Sequence, residues 1–117
     1  MSELVVSAKG LPKYPPLRES SELLTVAKLL GEGPGKWTKG AKYRDANGAS
    51  IDILDPSETP ASFDITGAID WVYRNSEDNQ AARIRVGMEI KATATRWNDS
   101  PLVEYAEVMN LVRRCNI

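Results

Sequence analysis

The chain has 117 residues, a formal net charge of −1, no histidine and a single cysteine, Cys115. The length suits one domain with its own core, and 42% hydrophobic with 26% charged residues is typical of a soluble globular protein. The missing histidine excludes Ser-His-Asp and Cys-His catalytic sites, and the lone cysteine excludes an internal disulfide. No apolar run approaches the roughly 18 residues of a membrane span, and no secretory signal is recognisable. We therefore expect a non-enzymatic, cytoplasmic protein with no cofactor, no metal and no membrane contact.

Residues 1–22 are predicted to form an extended arm, because the segment AKGLPKYPPLR (8–18) holds three of the seven prolines. The folded domain is expected over residues 23–117. It opens with RESSELLTVAKLLGEG, which fits two structures. A helix would begin after a serine cap and end at Gly31, whereas LLTVAKLL also fits a buried strand. We favour the strand because the segments that follow have a β pattern.

A β-hairpin is predicted from YRDANGASIDILD, in which an Asn-Gly pair separates two strand-like runs. A three-residue loop, 46–48 with its glycine left-handed, pairs Tyr43 with Ile51 and Ala41 with Ile53. This register buries apolar residues together and turns the basic residues outward.

Two longer strands are predicted from the alternation of apolar and polar residues at 63–74 and at 82–95. The polar stretch NSEDNQ is expected to be the loop between them, and WNDSP is expected to be a further turn. Residues 101–114 fit either a helix with Pro101 in its first turn or a bulged strand. The β context favours the strand. The predicted fold class is all-β, a small antiparallel barrel of five to six strands.

Positive charge and aromatic rings are concentrated in GKWTKGAKYR (35–44), although the chain as a whole is slightly acidic. Proteins that bind single-stranded nucleic acid use cations for phosphates and flat rings for stacking on bases. Further basic residues share one face of the predicted strand at 82–95. If the two strands are neighbours, they form a positive sheet face. The candidate nucleic-acid contacts are Lys36, Trp37, Lys39, Lys42, Arg44, Arg83, Arg85, Lys91, Arg96 and Trp97.

The order of these elements resembles the oligonucleotide/oligosaccharide-binding (OB) fold of the replication protein A type. YRDANGASIDILD resembles its strand-turn-strand unit, and VGMEIKATATRWNDSPLVEYAEVMNLV resembles its closing pair, over roughly residues 23–112. The resemblance implies a binding face framed by the loops GEGPGKWTKG and RWNDSP, which contain Trp37 and Trp97. The helix that usually joins the third and fourth strands of this fold has no counterpart here.

The first functional hypothesis is therefore a non-catalytic protein that binds single-stranded DNA, in preference to RNA. A homo-oligomer formed through the N-terminal arm or a sheet edge is also expected. The alternative is a protein-interaction or structural module, such as a phage-type accessory or assembly component, without nucleic-acid binding. A carbohydrate-binding module would share the exposed rings but would not need the cations. Burial of Trp37 and Trp97 favours the interaction module, and their exposure beside the basic residues favours nucleic acid.

Overall fold

The computed structural model describes residues 24–51, 59–90 and 93–117. Helices dominate these residues, and β structure is limited to one short antiparallel pair. The elements are α1 (Val26–Leu30), a 3₁₀ helix (Pro34–Lys36), β1 (Tyr43–Arg44), β2 (Ser62–Phe63), α2 (Ile65–Val72), α3 (Ser76–Ile90), α4 (Ala94–Asp99) and α5 (Tyr105–Cys115).

The prediction of an all-β, OB-like barrel is wrong. The two strands that the structure describes are two residues each and pair Tyr43 with Phe63 and Arg44 with Ser62, which closes no barrel. The predicted arm, 1–22, lies outside the described residues.

The predicted strand at 63–74 is helical because its apolar residues also recur with helical spacing. Ile65, Ala68, Ile69 and Val72 are all buried, and their spacing of three and four residues places them on one face of α2. Asp64 caps this helix, since its Oδ1 accepts a hydrogen bond from the Gly67 N–H at 2.6 Å. Residues four positions apart on one face of a helix also fall on the same face of a strand, in which every second residue shares a face. The apolar residues of α2 therefore show an alternation that is typical of a strand.

The strand predicted at 82–95 is also wrong where the structure describes it, because residues 82–90 lie in α3 and residues 94–95 begin α4. The stretch interpreted as a loop begins α3. The Asn75 Oδ1 accepts from the Glu77 N–H at 2.8 Å, and acidic Glu77 and Asp78 occupy the first turn of α3, where they suit the helix dipole. The buried residues of α3 are Ala81, Ala82, Arg85 and Val86.

The sequence allowed either a strand or a helix at residues 20–30 and 101–114, and the structure has a helix in both, α1 and α5. Thr25, not an earlier serine, caps α1 by accepting from the Lys28 N–H at 3.1 Å, and Gly31 ends the helix as expected. At the other end, α5 begins at Tyr105, and the Glu104 N–H donates to the Glu107 side chain at 3.3 Å. The turn predicted at WNDSP lies partly in α4, which Thr93 caps by accepting from the Arg96 N–H.

The hairpin register predicted around 46–48 is confirmed. The Ile51 N–H donates to the Tyr43 carbonyl at 3.1 Å, Arg44 bridges Ser50, and Gly48 has φ 86°. Gly48 therefore has the left-handed conformation that this turn requires. The second predicted pair involves Ile53, which lies outside the described residues.

The core lies between α1, α2, α3 and α5, and the short sheet covers one end of α2. Residue 117 joins three parts of it. The Ile117 side chain is buried, and its carbonyl accepts from the Val26 N–H and from the Tyr73 hydroxyl, both at 2.8 Å. The start of α1 and the end of α2 are thereby tied to the residues that follow α5.

Candidate functional site

The basic segment 35–44 packs against the end of α4, and a buried amide joins them. Asn98 is fully buried, and its Oδ1 accepts from the Trp37 Nε1–H at 2.6 Å and from the Ile65 N–H at 3.0 Å. Its Nδ2 donates to the Thr38 carbonyl at 3.0 Å and to the Asp99 Oδ1 at 3.1 Å. All four hydrogen-bonding positions of this amide are used. We call these contacts the Asn98 network.

Two further contacts hold the same segments together. The Lys39 Nζ donates to the Ser100 carbonyl at 2.6 Å, and the Gly40 N–H donates to the Asp99 Oδ1 at 3.0 Å. The Lys39 ammonium also lies 5.4 Å from the centre of the Trp37 ring. Trp37 and Lys39, which the sequence analysis assigned to a nucleic-acid ligand, therefore contact residues of the same chain about 60 positions away.

Lys42 and Arg83 are brought together, as the nucleic-acid hypothesis required, but an acid lies between them. The Lys42 Nζ and the Arg83 Nη2 each lie 2.6 Å from an Asp70 carboxylate oxygen, and the Asn79 Nδ2 donates to it at 2.8 Å. Burial alone would raise the pKa of Asp70, but hydrogen bonds from Lys42, Asn79 and Arg83 hold it below its usual value. This carboxylate is thus ionised at neutral pH and neutralises part of the basic surface.

Arg44 and Arg85 bind carbonyl groups of the protein itself. Arg44 donates to the Gly48 carbonyl at 3.0 Å and to the Lys39 carbonyl at 2.8 Å, which closes the hairpin onto the basic segment. Arg85 is buried on α3, and its Nη1 donates to the Cys115 carbonyl at 3.0 Å. Burial raises the pKa of the Cys115 thiol to about 11, so this cysteine is protonated and enclosed.

The remaining candidates are scattered. Lys36 forms an ion pair with Glu32 at 3.3 Å, Arg96 is exposed on α4, and Lys91 lies outside the described residues. Trp37 and Trp97 are both partly buried against the core. The predicted basic sheet face is wrong, because Arg83 and Arg85 are on a helix and point to different surroundings.

Asp64 is the carboxylate whose environment disfavours its charge. Burial, together with the nearby Asp99 carboxylate, raises its pKa, while hydrogen bonds from Gly67 and Thr66 and the charge of Lys42 oppose the rise. Burial and the charges of Asp70 and Asp64 also raise the pKa of the Tyr43 hydroxyl, to about 12. Both residues are buried, with 3% of Asp64 and 5% of Tyr43 exposed.

The described part of the chain contains no cluster of acidic or cysteine side chains that could hold a metal ion. Within residues 24–51, 59–90 and 93–117, no helix has the length and hydrophobicity needed to cross a membrane.

The sequence analysis missed the central residue of the site. Asn98 was placed in a turn, although it follows Trp97 and precedes Asp99 in a short run rich in hydrogen-bonding groups. An asparagine in a turn is usually solvated. No local pattern shows that Asn98 is instead buried, or that it accepts a hydrogen bond from a tryptophan 61 positions away in the sequence. Comparisons with protein-family models, with curated proteins and with solved structures give no match for this chain.

Proposed function

We propose that this chain is a non-catalytic protein-interaction module that associates with a second copy of itself through the outer face of α3. The observation that carries the proposal is a pair of apolar side chains on that face. Ile84 is 45% exposed and Met88 is 48% exposed, and they lie one helical turn apart. Single exposed apolar residues are common, but a neighbouring pair on one outward face fits a contact surface.

Gly87 supports a helical partner. It lies inside α3, where glycine costs roughly 0.5–1 kcal/mol relative to alanine, and a Cβ built there would meet no atom of the described residues within 4 Å. The part of the fold that the structure describes therefore gains nothing from this glycine. Its missing side chain leaves a gap beside Ile84 into which an apolar side chain of another helix fits.

The same face is complementary to itself. In an antiparallel pair of α3 helices, Ile84 of one copy packs over Gly87 of the other, and the two-fold axis repeats the contact. One protruding residue and one gap, three positions apart, are the simplest pattern that two-fold pairing can use. This complementarity is our reason for naming a second copy as the partner.

Contacts of the basic residues also support an interaction module over a nucleic-acid binder. A phosphate would have to displace Asp70 from Lys42 and Arg83, and a stacking base would have to displace Lys39 from the Trp37 ring. Partial burial of both Trp37 and Trp97 agrees with the alternative that the sequence analysis left open. The proposal keeps the cytoplasmic location expected from a lone cysteine.

Light scattering across a range of protein concentrations tests the proposal. The wild-type mass should rise toward two chains as concentration rises, and Ile84→Gln combined with Met88→Gln should keep the protein monomeric. Leu102→Gln is the matched control, because Leu102 is 83% exposed but lies in the turn after α4. A wild-type protein that stays monomeric throughout, or an equal effect of the control, would overturn the proposal.

Tryptophan fluorescence during titration with oligothymidine decides between the two functions. We expect no saturating quenching at low or moderate salt. Quenching that saturates at low salt and weakens with added salt would instead favour single-stranded DNA binding, which stays a prediction until this titration is made.

A further inference from the structure

The contact surface proposed on α3 contains one side chain that a mild oxidant can change. Met88 is 48% exposed, whereas Met109, on α5, is 4% exposed and packs in the core. Peroxide oxidises a methionine where it can reach the sulfur, so the two methionines differ in reactivity. Ile84, the other exposed side chain of the pair, is a hydrocarbon and is inert to such an oxidant. The chemical sensitivity of this surface is therefore concentrated at Met88.

The reaction at Met88 is an oxygen transfer that needs only a peroxide. The Met88 Sδ attacks one peroxide oxygen, the oxygen–oxygen bond breaks, and the departing hydroxide takes up the proton left on the transferred oxygen. The products are methionine sulfoxide and water, so the sulfur is oxidised and the peroxide is reduced. Sulfoxide reductases reverse the step, with a thiol as the source of electrons. The modification can therefore be both installed and removed.

The product lacks the property on which the contact depends. A methionine side chain is flexible and apolar, and it fills gaps between packed elements. Its sulfoxide carries a polar oxygen, and burial of that oxygen without a hydrogen-bond donor is unfavourable. In a two-fold pair each copy contributes its own Met88, so the effect is felt twice when both chains are oxidised. Oxidation therefore acts against association, while the core around Met109 is protected by its burial.

We propose that Met88 is a reversible redox switch for self-association, with the reduced protein paired through α3 and the sulfoxide form monomeric. This switch depends on the self-association proposed above, and a peroxide is the chemical class of its signal. The coupling also acts in reverse, because pairing covers Met88 and slows its oxidation. Met109 should show no such dependence, since the core encloses it in either state.

Light scattering before and after hydrogen peroxide treatment of the full chain tests the switch, with peptide mass spectrometry to locate the added oxygen. In the wild type, oxygen should be added at Met88 faster than at Met109. The dissociation constant of the pair should rise by at least about tenfold, and a sulfoxide reductase with a thiol should restore the original value. Oxidised protein that associates as tightly as before, or oxidation of Met109 ahead of Met88, would overturn the proposal.

Two leucine variants are matched controls, because leucine is close to methionine in volume and has no sulfur. Met88→Leu should associate as the wild type does and should stay paired in peroxide. Met109→Leu keeps the reactive sulfur on α3 and should dissociate in peroxide as the wild type does. Dissociation of Met88→Leu in peroxide would place the sensitive group elsewhere and would contradict the switch.

Failure of the switch is distinguishable from failure of self-association. If the untreated wild type is monomeric at every concentration, α3 is not a contact surface and both proposals are wrong. If the untreated protein pairs and its oxidised form pairs equally well, only the switch is wrong. The oxidation rate of Met88 is a separate measurement, and it should fall as protein concentration rises and pairs form. A rate that is independent of concentration in a protein that pairs would show that the contact leaves Met88 open, which contradicts the switch.

Discussion

The basic segment 35–44 and the outer face of α3 are both candidate contact surfaces, but the fold itself uses the side chains of only the first. In the segment, Lys39 binds a carbonyl, Lys42 binds Asp70 and Arg44 binds two carbonyls. On the outer face of α3, Ile84 and Met88 are 45% and 48% exposed, and neither belongs to the core. The segment that the sequence marks most strongly as a binding surface is thus the one whose side chains are bound within the protein.

The comparison teaches that the density of charge along a chain does not identify a binding surface. A cation is available to a ligand only when the fold leaves it without a closer partner. Asp70 and Asn98 decide this for the basic segment, and both are distant from it in sequence. The predictions below test whether the contacts of the basic segment stabilise the fold and whether the outer face of α3 is available to a partner.

Asn98→Ala should have the largest effect. It removes all four hydrogen bonds of the buried amide and leaves the Trp37 Nε1–H and the Ile65 N–H without their acceptor. Each buried group left unsatisfied costs roughly 1–3 kcal/mol, so we expect a loss of about 3–5 kcal/mol in the free energy of unfolding. Urea denaturation measures this loss.

The control for this prediction is Asn110→Ala, at an exposed position of α5, which should change stability by less than about 0.5 kcal/mol. If Asn98→Ala lowers the free energy of unfolding by no more than this control does, the Asn98 network does not stabilise the fold. The basic segment would then be open to a ligand.

Gly67→Ala should have the next largest effect. A Cβ on Gly67 would overlap the Lys42 carbonyl oxygen, and it would also press on the aliphatic part of the Lys42 side chain. Since backbone must shift to make room, we expect a loss of about 2–3 kcal/mol in the free energy of unfolding, within the range for overpacked cores. A neutral result in thermal or urea denaturation would mean that α2 is not in close contact with the Lys42 backbone, just before β1.

Parts of this fold were predictable from the sequence, and the physical reason is locality. The register around Gly48 followed from a turn signal confined to a few residues, and the structure confirms it. Helices were predicted as strands where the spacing of the apolar residues fits both structures. In α2, Ile65 and Ile69 satisfy both a period of two and a spacing of four, and only Ala68 and Val72 distinguish the helix from a strand.

The contacts of the candidate site residues were harder to predict than the fold, because these residues bind side chains that are distant in the sequence. Lys42, Asp70 and Arg83 are spread over more than 40 positions, and nothing local to Lys42 indicates that a carboxylate will neutralise it. The exposed pair Ile84 and Met88 was also missed, because both residues fit the apolar face of the strand predicted at 82–95.

Asp70→Asn should cost less stability than the two core changes but should open the basic segment. It weakens the interactions of one carboxylate with Lys42, Asn79 and Arg83, at partly exposed positions, so we expect a loss of about 1–2 kcal/mol. If occupied cations explain weak nucleic-acid binding, this variant should bind oligothymidine more tightly than the wild type at low salt. Unchanged affinity in the fluorescence titration would show that freeing the two cations is not enough.

The pH dependence of this variant gives an independent check. Because the pKa of Asp70 is lower in the folded protein than in the unfolded chain, its contribution to stability is present above the unfolded value of about 4. That contribution is lost as pH falls through the folded value. The wild type should therefore lose more stability than Asp70→Asn below about pH 4, as measured by urea denaturation at each pH. Parallel curves for the two proteins would contradict the ion pairs.

Gly87→Ala should have the smallest effect and the opposite sign. The two glycines lie inside helices, but a Cβ at Gly67 meets the Lys42 backbone whereas a Cβ at Gly87 meets open space. Alanine at 87 should therefore raise the free energy of unfolding by about 0.5–1 kcal/mol at low protein concentration, where the chain is monomeric. At high concentration the added methyl group occupies the gap that Ile84 of a second copy needs, so the mass from light scattering should fall toward one chain. A variant that is more stable and still associates would remove Gly87 from the contact, and the surface proposed for self-association would then reduce to Ile84 and Met88.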